Sequence, residues 1–89
     1  MAVTDIEIIN KLGLHARAAS KLVSLTTRFA SEIKISKGNK TVDGKSIMAV
    51  MMLAAAKGTQ LRIATQGHDA SQALDAIVLL INNKFDELE

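Results

Sequence analysis

The 89-residue sequence has no cysteine, proline, tryptophan or tyrosine, and its only aromatic residues are Phe29 and Phe85. Without cysteine, disulfides and cysteine-ligated metal centres are excluded, which suits a reducing compartment. Aromatics make up 2% against 48% hydrophobic residues, so the core must be aliphatic and rich in Ala and Met. The same shortage removes the aromatic sheet motif of RNA-binding domains, and no G-x-x-G loop is present. Lys and Arg are scattered, with no run of five like charges; net charge is +2 and the isoelectric point is near 9.2. A nucleic-acid footprint would be denser, so nucleic acid is not an expected partner. No apolar run approaches the roughly 20 residues that span a bilayer, and no basic segment leads into an apolar one at the N-terminus. A soluble, cytoplasmic, monomeric chain without membrane insertion is expected, folding as one domain over residues 1–89.

Hydrophobic periodicity supplies the elements. Residues 3–9 are β-branched, with Asp5 and Glu7 alternating against Ile6 and Ile8, and read as a strand. From Ala16 to about Phe29, Ala19, Leu22, Val23, Thr26 and Phe29 fall at helical spacing. Ile33 and Ile35 alternate with Glu32, Lys34 and Ser36 in a second strand. Lys37-Gly38-Asn39-Lys40 then turns the chain into a short third strand over residues 41–43. Residues 46–54 form a short apolar helix, and Leu61 to Thr65 a fourth strand. Asp69 and Gln72 have the spacing of a capping box. The last helix is expected to bury Ala70, Ala73, Leu74, Ile77, Ile81, Phe85 and Leu88. This βαββαβα order predicts an α+β fold, a four-stranded antiparallel sheet with helices on one face.

The segment "GLHARAAS", residues 13 to 20, places His15 at the start of the first helix with Arg17 two positions on. The first N–H groups of a helix lack internal partners and carry partial positive charge, which suits an anion. Imidazole is a poor N-cap, but a neutral ring nitrogen is a nucleophile near neutral pH. A phosphoryl group on that nitrogen could meet the backbone N–H groups of Ala16 and Arg17 and the Arg17 guanidinium. Gly13 would let the chain turn sharply and leave His15 exposed. The spacing alone also fits an ordinary surface histidine. No Asp or Glu lies within five residues of His15, so a hydrolytic triad or metal site has no local support. Neither a metal nor a cofactor is expected.

"GLHARAAS", "KSIMAVMMLAAAKG" and "QGHDASQALDAI", in this order, resemble the HPr family, histidine phosphocarriers of the bacterial phosphoenolpyruvate phosphotransferase system. The resemblance covers essentially the whole chain. It implies an open-faced β-sandwich and a phosphoryl group accepted from Enzyme I on Nδ1 of His15, then passed to IIA domains. Arg17 would contact the phosphate. The chain would be a carrier rather than a stand-alone enzyme. Ala16-Arg17-Ala18 stands where many members have Thr-Arg-Pro, and the Ala-Arg pair is similar to the nitrogen-related NPr branch. A regulatory module that kept the fold is the competing class; the presence of both His15 and Arg17 argues against it.

"DGKS", residues 43 to 46, is not a P-loop, because the glycine required five positions before Gly44 is Asn39. Ser46 reads as the N-cap of the short helix. The resemblance adds a regulatory role, phosphorylation by HPr kinase/phosphorylase. A helix this short cannot bury all its apolar side chains. Ile47, Met48 and Met51, extended by Leu14, are therefore expected to form an adaptable docking patch. His68 is read as a surface residue at a helix start.

Overall fold

The computed structural model describes residues 1–88. The elements are β1 (Ala2–Glu7), α1 (Ala16–Thr26), β2 (Glu32–Lys37), β3 (Lys40–Asp43), α2 (Ile47–Met52), β4 (Gln60–Gln66) and α3 (Ala70–Asn82), followed by a short turn at Lys84–Asp86. The four strands form one antiparallel sheet in the order β1-β4-β2-β3. The helices cover one face, giving the α+β open-faced sandwich.

Strand alternation decides which face is covered. Ile33, Ile35, Leu61 and Ile63 point inward and are at most 2% exposed. Glu32, Lys34 and Arg62, next to them in sequence, face water. Ile35 and Ile63 are opposite one another in the β2–β4 register, so their burial reinforces the pairing. On the open face Arg62 donates to Asp5 of the neighbouring strand at 2.8 Å. α1 buries Ala18, Ala19, Leu22, Val23 and Thr26, and α3 buries Ala70, Ala73, Ile77 and Ile81. Each large aliphatic side chain so buried contributes about 1.5–3 kcal/mol.

The helices are shorter than their apolar patterns. After Thr26 the bonds tighten, with Arg28 N–H donating to Leu25 O and Phe29 N–H to Thr26 O, and the chain turns toward β2. α2 stops at Met52, where Leu53 N–H reaches Val50 O and Ala54 N–H reaches Met51 O. Its ends are held from outside. The buried Thr26 hydroxyl donates to Gly44 O at 2.7 Å, just ahead of the helix. Lys37 and Lys40, from the β2–β3 hairpin, donate to Leu53 O and Met52 O at its end, each at 2.9 Å. Cations there complement the negative pole of a helix.

Three expectations are corrected at α3 and just beyond it. Asp69 makes no side-chain cap. Its carboxylate instead accepts from the N–H groups of Ala30 and Ser31 and from the Ser31 hydroxyl. Three donors of the α1–β2 connection outweigh the single one a cap would offer. They hold the carboxyl down at about 2, the Ser31 hydroxyl contributing most. Phe85 is fully buried as expected, but not on the helix. α3 ends at Asn82, and Lys84, Phe85 and Asp86 all have left-handed φ of 57°, 54° and 64°. That conformation costs roughly 1–2 kcal/mol per residue with a Cβ; burying Phe85 and the bond from Lys21 Nζ to Phe85 O at 3.0 Å offset it. Leu88, expected in the core, is fully exposed.

Candidate functional site

Gly13 places His15. Its φ is +64°, and a Cβ at this position would lie 2.4 Å from Ala55 O, so no other residue fits against the loop after α2. Leu14 N–H then donates to Ala55 O at 2.8 Å. This contact draws Leu14 inward to 5% exposure, within the core cluster. Leu14 is therefore not part of an exposed patch. The exposed leucine of this loop is Leu12.

His15 is the N-cap residue of α1, with extended backbone and no side-chain bond to the helix. The first helical bond from the following turn is Ala19 N–H to His15 O at 2.8 Å. The N–H groups of Ala16 and Arg17 thus have no intrahelical acceptor. No acidic residue lies in the first turn. The His15 side chain is 26% exposed, and its Nδ1 makes no hydrogen bond among the described residues. Arg17 is exposed and makes no hydrogen bond or ion pair among the described residues. It borders an open groove with Lys11, Leu12, Lys21, Asp86 and Glu87.

The sequence reading missed Glu87. Its Oε2 is 2.5 Å from His15 Nε2, and its Oε1 accepts from Asn10 Nδ2 at 2.9 Å. The Asn10 bond is the main cause that lowers the Glu87 carboxyl from its ordinary value; burial opposes, and His15 adds to the lowering. Asn10 is fully buried and also donates to Gly13 O at 2.9 Å, so it braces the His15 loop and Glu87 together. Among the described residues no three His, Asp or Glu side chains converge as a metal site.

A family profile described as "PTS HPr component phosphorylation site" matches residues 3–83. The chain belongs to the HPr family. Phosphocarrier protein HPr of Pseudomonas putida is 58% identical over 90 aligned positions, covering all of both chains. Phosphocarrier protein NPr of Shewanella violacea is 45% identical over 93% of this chain and 91% of its own. The crystal structure of HPr from Thermoanaerobacter tengcongensis superposes with a TM-score of 0.97 at 42% identity, covering all of both chains.

In this HPr-family fold, His15, Ala16 and Arg17 lie together at the start of α1, while Ser46 lies elsewhere. Ser46 is the N-cap of α2, its Oγ accepting from Ala49 N–H at 3.2 Å. The His15 loop packs on Ala55, beyond the opposite end of that helix. Between them Ile47, Met48, Met51 and Met52 are 41%, 70%, 38% and 64% exposed, whereas Val50 is fully buried. Lys45, beside Ser46, donates to Phe29 O at 2.6 Å, so its ammonium is already held. His68 is exposed at the start of α3. No helix of the described residues is long and apolar enough to cross a membrane.

Proposed function

We propose that this chain carries a phosphoryl group on Nδ1 of His15, accepting it from phospho-Enzyme I and passing it to IIA domains in the cytoplasm. The observation that carries the reading is an imidazole at the uncapped N-terminus of an eleven-residue helix. The Nδ1 lone pair forms the new bond to phosphorus. The bond from phosphorus to the donor breaks, with its electrons remaining on the donor. The N–H groups of Ala16 and Arg17, with the Arg17 guanidinium, stabilise the transferred oxygens. The reverse step on an acceptor regenerates neutral His15. Most of the catalytic apparatus belongs to the partners.

The exposed Ile47, Met48 and Met51, joined by Met52 and Leu12, serve as the docking surface for both partners. Phosphorylation of Ser46 by HPr kinase/phosphorylase would regulate that docking. It would add a charge of about −1.5 to −2 at the edge of the patch, repelling acidic partner surfaces drawn to Arg17. The test is incubation with phosphoenolpyruvate and Enzyme I, followed by intact mass and a site map. An acid-labile, base-stable group on His15 is expected; its absence from His15 overturns the reading.

A further inference from the structure

The proposed chemistry requires Nδ1 to be the unprotonated ring nitrogen and to face outward, and nothing in α1 itself secures either. Building on the carrier reading, we infer that Glu87, held by Asn10, is a positioning residue that fixes both the tautomer and the orientation of the His15 ring. The geometry carries this. Glu87 bridges two partners, with Oε1 on Asn10 Nδ2 at 2.9 Å and Oε2 on His15 Nε2 at 2.5 Å. A carboxylate has no proton to donate, so the contact requires a hydrogen on Nε2; in the neutral ring, the form that can attack phosphorus, this leaves the lone pair on Nδ1. The lowered Glu87 carboxyl agrees with this ionised form.

The backbone shows the same arrangement from the other side. Glu87 is 72 positions from His15 and follows three consecutive left-handed residues. A turn with that cost persists only where its surroundings determine it. Phe85 in the core and Lys21 on Phe85 O supply the anchor, and the turn delivers the carboxylate beside the imidazole. Asn10 makes the hold directional. It is fully buried, and its amide hydrogens serve both Gly13 O, on the loop that presents His15, and Glu87 Oε1, beyond α3. Glu87 touches no transferred atom; it acts through the ring.

The test compares wild type, Glu87→Ala and Glu87→Gln. The readouts are nitrogen NMR of labelled His15 and the rate and KM of phosphoryl acceptance from Enzyme I with phosphoenolpyruvate. The wild type should show hydrogen on Nε2. Glu87→Ala should gain a population with hydrogen on Nδ1. Its maximal rate should fall about tenfold, the lower end of the loss when an orienting partner is removed from a metal-bound imidazole, with KM unchanged. In Glu87→Gln the amide oxygen can still accept from Nε2–H, but its NH2 then faces the Asn10 donor. That variant should keep the tautomer and fall between the other two in rate. An unchanged tautomer and rate in Glu87→Ala overturns the inference, as does a change confined to KM. Wild type that never carries phosphate on His15 overturns the carrier reading instead, while the NMR comparison still decides whether Glu87 holds the ring.

Discussion

The starts of α1 and α2 solve the same local problem in opposite ways. At α2 the Ser46 hydroxyl takes the Ala49 N–H, closing the helix end with the protein's own atom. At α1 the N-cap is His15, whose ring turns away to Glu87 and leaves the end open. A good cap is worth about 1 kcal/mol, so the open end forgoes stability that a serine would supply. The difference separates two uses of one position: Ser46 closes its helix end, whereas the end at His15 stays open, as the proposed carrier role requires. α3 shows a third use, in which Asp69 holds a distant loop with its carboxylate.

The sharpest break of this comparison is His15→Ala. Phosphoryl acceptance should be abolished, while the fold persists with a loss of about 1–3 kcal/mol, since no helical bond involves the ring and its contact with Glu87 is the one bond removed. Phosphate uptake assays and denaturant titration give both values. Next, Arg17→Ala should slow transfer roughly tenfold or more, as expected when charge-assisted contacts to phosphate are lost. Its melting temperature should hardly move, because the side chain is exposed and unbonded among the described residues; stopped-flow transfer to a IIA domain tests it.

Ser46 should behave as the mirror image. Ser46→Ala should lose about 1 kcal/mol by denaturant titration and keep its transfer rate. Ser46→Asp retains a cap and should keep its melting temperature while binding Enzyme I more weakly, measured by calorimetry. Equal binding would remove the docking account. The smallest effect belongs to Asp69. Its folded carboxyl at about 2 lies below the ordinary 3.8, so its stabilising contribution is present above 3.8 and is lost as pH falls toward 2. The stability gap between wild type and Asp69→Asn should therefore be constant at neutral pH and close through that window. Urea titrations at a series of acid pH values measure it.

The sheet was legible because its signal is local. Ile33 and Ile35, or Leu61 and Ile63, carry the two-residue period within a few positions, and each strand follows it. The place of His15 at the start of α1 was legible from the helical spacing that follows it, and it drew notice because an imidazole there departs from what capping favours. Glu87 was not. It reaches His15 only through a left-handed turn, and "NNKFDE" contains no glycine to announce one. Leu14 failed for a related reason, since its burial depends on Ala55, brought close by the fold and not by sequence. Asp69 had the spacing of a cap, but spacing does not reveal the competing donors of Ala30 and Ser31.

In mechanical terms α2 is a very short lever. A six-residue helix has little rigidity of its own, yet neither end is free to swing. The Thr26 hydroxyl grips Gly44 at one end, and the ammonium groups of Lys37 and Lys40 grip Leu53 and Met52 at the other. Pressure on the exposed face of Met48 is therefore borne by α1 and the β2–β3 hairpin, so the methionine side chains can yield to a partner while the backbone beneath them does not.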